Sequence, residues 1–116
     1  MSPRDHSALL DMLAAGADAM GWTEGMTFDG FEADGRTSRA VVFSLVILGE
    51  AAARISEATK AASPAVPWAR MRGTRNRLVH EYDDIDLAVA WRIVTVELPT
   101  LMPTLRALLP PEKPVA

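Results

Sequence analysis

Ala40-Val41-Val42-Phe43-Ser44-Leu45-Val46-Ile47-Leu48 is the longest apolar run in the chain, and its reading decides the fold. It is about half of what a bilayer span requires, so no transmembrane segment is expected. It does not alternate as a strand would. Val41, Val42, Leu45, Val46, Leu48, Ala52 and Ile55 recur at helical steps, which predicts a helix capped by Thr37 or Ser38 and extending to about Lys60. The first half of that helix is apolar nearly all round, so it should be the central and most buried one. Gly49 inside it costs about 1 kcal/mol against alanine, which a close helix-helix approach would explain. Glu50, the one acid within this region, has two readings. It either turns to the bundle edge and pairs with Arg54 at i+4, or it orients an arginine further along the chain.

Upstream, Ser2, Pro3 and Asp5 read as an N-cap, a first-turn proline and a capping acid. Leu9, Leu10, Met12, Leu13, Ala17 and Met20 then form the stripe of a first helix ending near Gly21. His6 in its first turn is assigned to solvated surface. From Gly21 to Gly35 no period survives, and the stretch reads as a connecting loop with a short turn around Phe28 to Phe31. Its glycines follow no strand and precede no Lys-Ser/Thr pair, which excludes a P-loop.

Downstream, Ser63, Pro64 and Pro67 break the central helix and open a third. Trp68, Met71, Leu78 and Val79 are its core side, and it is predicted to end near Tyr82. Asp83, Asp84 and Asp86 form a turn, with Asp86 the cap of a last helix that carries Leu87, Ala90, Trp91, Val94, Leu98, Leu101, Met102, Leu105 and Leu108. Pro99 and Pro103 should kink that helix, and Pro110, Pro111 and Pro114 end it. The expectation is an all-α, antiparallel four-helix bundle forming one domain over 1–109, with a Pro-rich flexible tail over 110–116.

The 116 residues carry 12 basic and 15 acidic side chains, a net charge of -3, so the whole molecule does not attract nucleic acid as a strongly basic protein would, and any polyanion contact must be local. There is no cysteine, which excludes disulfides, thiolate metal sites and a thiol nucleophile. The charged N-terminus lacks the apolar core of a signal peptide, and a cytoplasmic location is expected.

Positive charge is concentrated in one place, Arg70-Met-Arg-Gly-Thr-Arg-Asn-Arg-Leu-Val-His-Glu-Tyr82, which also holds one of two histidines and the only tyrosine. On a continuous helix Asn76 and His80 would share a face, about 40° apart, with Arg72 close to it and Arg75 able to reach back. An imidazole with a guanidinium and an amide beside it suits phosphodiester cleavage in RNA without a metal. The His carries a proton to or from the reacting oxygens and an arginine holds the phosphate. A nearby Arg would favour the neutral imidazole, hence a base. One His does not easily serve as acid and base in the same step, and a two-fold dimer would supply a second. An arginine-rich helix end with one His is nevertheless more often a solvated face, so spacing alone leaves nuclease, binding module and plain interaction domain open.

Arg75-Asn76-x-x-x-His80-x-Tyr82 resembles the Arg-Asn-x-x-x-His-x-Tyr motif of the HepT-like branch of the HEPN superfamily. Leu48-Gly49-Glu50-Ala51-Ala52, Pro67-Trp68, and Asp84-Ile85-Asp86 with Trp91 agree with it, and the likeness spans about Leu9 to Leu109. The resemblance implies a helical-bundle homodimer acting as a metal-independent endoribonuclease with no cofactor. It further implies a toxin whose antitoxin is an MntA-like nucleotidyltransferase that attaches AMP to the motif tyrosine. Carried onto this chain, Arg75 and His80 would be catalytic, Asn76 supporting and Tyr82 the modified hydroxyl. Arg70, Arg72 and Arg77 exceed the motif and are read from their charge as RNA-steering, with Arg77 expected to be exposed, and Glu50 is read from its place in the chain as supporting. The alternative is a non-catalytic partner, or an RNA- or nucleotide-binding subunit, of a nucleotidyltransferase.

Overall fold

Ser2 accepts the Asp5 N–H at 3.1 Å and Pro3 takes the first turn, so α1 (Pro3–Thr23) starts where its cap signal lies. The computed structural model describes residues 1–82 and 84–111. Asp83 of the expected turn and residues 112–116 of the expected tail lie outside the described residues. Among those described, no helix is long and apolar enough to cross a membrane.

The connection after α1 is more ordered than a loop. Gly25 turns the chain with φ +76, a value only glycine adopts freely. Thr27 then caps a short helix, α2 (Phe28–Ala33), by accepting the Gly30 N–H at 3.1 Å. What stabilises α2 is not periodicity but an aromatic contact across the chain: Phe31, fully buried, lies 5.2 Å from Trp91, and Phe28 lies 6.2 Å from the same ring.

The central helix is α3 (Gly35–Ala53), with Val41, Leu45, Leu48, Ala51 and Ala52 all buried. Its cap is Asp34 rather than Thr37 or Ser38: the Asp34 carboxylate accepts the Thr37 N–H at 3.1 Å and its hydroxyl at 2.7 Å. It also stops short of Lys60. Ser56 caps a separate helix, α4 (Glu57–Ala62), because a buried carboxylate reaches in from far upstream. Asp5 accepts the Ser56 N–H at 2.9 Å and the hydroxyls of Ser56 and Thr59, each at 2.6 Å. Asp5 therefore ties the start of α1 to the chain just past the end of α3, which makes those two helices antiparallel.

Gly49 is where the next segment presses on α3. A Cβ there would sit 2.8 Å from the Met71 carbonyl oxygen, and backbone gives way less easily than a side-chain tip. The close approach expected from the sequence is present. Gly49→Ala is accordingly expected to destabilise by about 1–3 kcal/mol, read as a lower urea midpoint at unchanged slope.

That next segment is two short helices, α5 (Trp68–Arg72) and α6 (Thr74–Leu78), hinged at Gly73. The predicted continuation to Tyr82 does not occur. Val79 turns extended at φ -118, and β1 (Val79–Glu81) pairs antiparallel with β2 (Asp84–Ile85). The reason is long-range: the Asp86 N–H donates to the Leu78 carbonyl at 2.7 Å, closing the hairpin and taking the acceptor a helix would need four residues on.

Asp86 caps α7 (Leu87–Arg92) as expected, its Oδ1 accepting the Val89 N–H at 3.1 Å. The last helix widens just before the first of its prolines. Ile93–Glu97 is a π-helical turn, in which the Leu98 N–H reaches back five residues to the Ile93 carbonyl, and α8 (Leu98–Arg106) follows. Pro99, which has no N–H to give, sits two residues beyond that turn, so the wider register absorbs the missing donor. α1, α3, the α5–α6 pair and the α7–α8 run give the all-α bundle.

Candidate active site around His80

His80 owes its position to the hairpin. Val79 pairs with Ile85 and Glu81 with Asp84, so His80 is the extra residue of a bulge. Bulges re-aim side chains. The His80 side chain is half exposed and faces Asp86, with Nε2 3.4 Å from Oδ2. Asp86 cannot swing away, because its other oxygen caps α7. Its carboxyl lies below the ordinary range, chiefly through the Val89 N–H and then through the imidazole. Phe28, Glu32, Asp84, Ile85 and Leu87 complete a shallow depression of about 420 Å³ around the ring. The helical geometry that would place Asn76 and His80 on one face is thus replaced by a helix end and a turn.

Arg75 and Asn76 are exposed on α6, five and four residues before His80 respectively, with no hydrogen-bond or ion-pair partner among the described residues. Arg72 is exposed beside Lys60 and Glu57. Tyr82 is 94% exposed at the tip of the turn.

Arg70 and Arg77 are engaged elsewhere, on an acid the sequence reading did not single out. Glu97 accepts from Arg77 at 2.7 and 3.1 Å and from Arg70 at 3.2 and 3.3 Å. Its carboxyl is held down at about 2, mainly by Arg77 and, against some burial, by Arg70. The π turn ends at Glu97, so the same widening that accommodates Pro99 supplies the clamp. Beside it an apolar cleft of about 390 Å³ runs between α5–α6 and α8, away from His80. The only local signal for Glu97 was an acid two residues before a proline within an apolar helix.

Glu50 reaches neither expected partner. It is exposed on α3, and Arg54 lies against Asp11 at 3.8 Å instead. The acid that orients arginines of the cluster is Glu97. Among the described residues no group of three or more His, Asp or Glu is arranged to hold a metal ion.

The family model described as ribonuclease HepT-like matches residues 12–108. A protein of Methanocaldococcus jannaschii named "Putative RNase MJ0127" is 37% identical over 100 residues, covering 85% of this chain and 83% of the relative. "Probable ribonuclease HepT" of Thermococcus cleftensis is 32% identical over 99 residues, 84% of this chain and 90% of its own length. No solved structure matches.

Proposed function

We propose that this chain, which belongs to the ribonuclease HepT-like family, is an endoribonuclease that cuts RNA by His80 and Arg75 chemistry, without a metal ion, in a cleft between two copies. One observation carries the reading: the family span contains an intact Arg75-Asn76-x-x-x-His80-x-Tyr82, and its histidine is presented on a bulge beside an arginine-bearing helix end.

In the proposed reaction a ribose 2'-hydroxyl attacks the adjacent phosphorus as the bond to the 5' oxygen breaks. His80 takes the hydroxyl proton or gives one to the leaving oxygen, while Arg75 holds the phosphate and Asn76 helps to place it. A single copy is poorly equipped for this. Its one site imidazole cannot do both proton transfers at once, and the depression around it is lined by Glu32, Asp84 and Asp86, which repel a phosphate. A second copy facing the first would add a second His80 and more guanidinium. Within each copy Arg72 and Arg75 are the open steering charge, and residues 1–109 are treated as the single working domain.

Regulation is proposed as a toxin-antitoxin pair. Tyr82 stands free two residues from His80, accessible to an MntA-like nucleotidyltransferase that would attach AMP, a bulky anion able to block RNA and neutralise arginines. Purified protein should cleave RNA equally with and without EDTA, and loss of cleavage in EDTA would overturn the metal-free mechanism. Supplied with the partner and ATP, the chain should gain AMP on its single tyrosine, a change that mass spectrometry reads directly.

The Glu97 clamp favours a second reading, because it removes Arg70 and Arg77 from the charge available to RNA. The chain would then be a non-catalytic partner, or an RNA- or nucleotide-binding subunit, of a nucleotidyltransferase. Harmless expression and no RNA cleavage by the purified chain would select that reading over the toxin.

A further inference from the structure

We propose that Asp86 is a positioning residue of the His80 site, fixing through Nε2 which ring nitrogen works on RNA. The inference rests on the ribonuclease reading above and adds to it a residue that the sequence marked as a helix cap and as part of a segment resembling the family, with no role at the site.

Three carboxylates line the depression around His80: Glu32 from α2, Asp84 from β2 and Asp86 before α7. Among the described residues only Asp86 is within hydrogen-bonding range of the ring, at 3.4 Å. That contact is long, as such contacts often are before substrate binds. The carboxylate is held in place and the His80 backbone is set beside it. His80 is set by the bulge, and Asp86 is tied twice, by its N–H to the Leu78 carbonyl at 2.7 Å and by Oδ1 to the Val89 N–H at 3.1 Å.

An ionised carboxylate only accepts hydrogen bonds. Opposite Oδ2, Nε2 must therefore carry hydrogen, and in the neutral ring Nδ1 is then the bare nitrogen able to take a proton from a 2'-hydroxyl. Nδ1 has no hydrogen-bond partner among the described residues. The α7 cap and the site thus share one side chain, each using a different oxygen.

Asp86→Asn separates the two jobs. Asparagine is as good a cap as aspartate, so its Oδ1 keeps the Val89 N–H. Its NH2 group then replaces Oδ2 and presents a donor where Nε2 needs an acceptor. The neutral ring should switch its hydrogen to Nδ1 and lose the working base. Asp86→Ser is a second variant that retains a cap but is too short to reach His80.

Nitrogen-15 shifts of the imidazoles, assigned with only two histidines in the chain, should show His80 protonated on Nε2 in the unaltered protein and on Nδ1 in Asp86→Asn. Both variants should lose at least about tenfold in kcat, with KM within about threefold and Tm within a few degrees of the parent. Unaltered kcat in Asp86→Asn, or the same His80 tautomer in both proteins, overturns the inference. So does a fall in kcat that only accompanies a fall in Tm. Failure of the ribonuclease reading would look different: no cleavage by the unaltered chain, or full cleavage by His80→Ala, whatever the tautomer.

Discussion

His80→Ala is expected to lower RNA cleavage by about 10²–10⁴-fold, the span that a positioned proton carrier contributes, while leaving the fold where it is. Both halves of that expectation follow from the geometry. The side chain is half exposed, packs into no core cluster and makes its one polar contact with Asp86. Removing it frees a carboxylate that still caps α7 and is open enough to be hydrated, so stability should change by no more than about 0.5 kcal/mol. The bulge is held by backbone pairs on either side of residue 80 and does not need the imidazole. Cleavage of a labelled RNA under single turnover, with circular dichroism and Tm on the same preparation, checks both. Full activity in the variant would remove His80 from the chemistry. A large loss of Tm would mean that the hairpin depends on the ring and that any activity loss is secondary.

Much of the scaffold was legible because it is written in local signals. Ser2 and Pro3 mark the start of α1, Asp86 marks that of α7, and Val41, Val42, Leu45 and Leu48 mark the buried face of α3, although Phe43 and Ile47 of the same run are exposed, so the helix is not buried all round as expected. Even a tertiary fact, the close approach at Gly49, could be read from a residue that is otherwise costly in a helix. What escaped were features decided by partners distant in sequence. Nothing near Ser56 announces that Asp5 will end the long helix there, since the two are 51 positions apart. Nothing near Leu78 announces that Asp86 will take its carbonyl.

The candidate site shows the same division. Arg75, Asn76, His80 and Tyr82 could be picked out as a constellation, but their mutual geometry was drawn on a helix that the hairpin interrupts. Glu97 was invisible for another reason. Its relation to Arg70 and Arg77 depends on a π turn, which shifts the angular position of every later residue and so breaks the helical wheel used to assign faces. The proline signal at Pro99 was read correctly as a disturbance, but the π turn that goes with it was not foreseen.

Asp5→Ala is expected to be the most damaging change away from the site, at about 2–4 kcal/mol near neutral pH. Asp5 is 2% exposed and is the common acceptor for the Ser56 N–H and the hydroxyls of Ser56 and Thr59. Alanine would leave those donors without the acceptor around which the α1–α4 junction is built, and breaking a buried polar network is among the few routes to a large loss. The same bonds hold the carboxyl at about 2, down from an ordinary 3.8, with the Ser56 hydroxyl the main cause and the Thr59 hydroxyl next. A carboxyl depressed on folding stabilises the native state above its unfolded value, and that contribution is lost as pH falls through the folded one. The window is therefore roughly pH 4 down to pH 2. Glu97, also held at about 2, acts with the same sign, but it is part-exposed and its ion pairs are screened by salt. Urea unfolding followed from pH 7 to pH 2 in low and high salt separates the two carboxyls. Salt should blunt the Glu97 part and leave the Asp5 part, and Asp5→Ala should flatten the acid limb because the parent loses there what the variant already lacks. Stability curves that stay parallel down to pH 2 would mean that the Asp5 carboxyl titrates alike in the folded and unfolded chain, so that its bonds to Ser56 and Thr59 do not favour the ionised form.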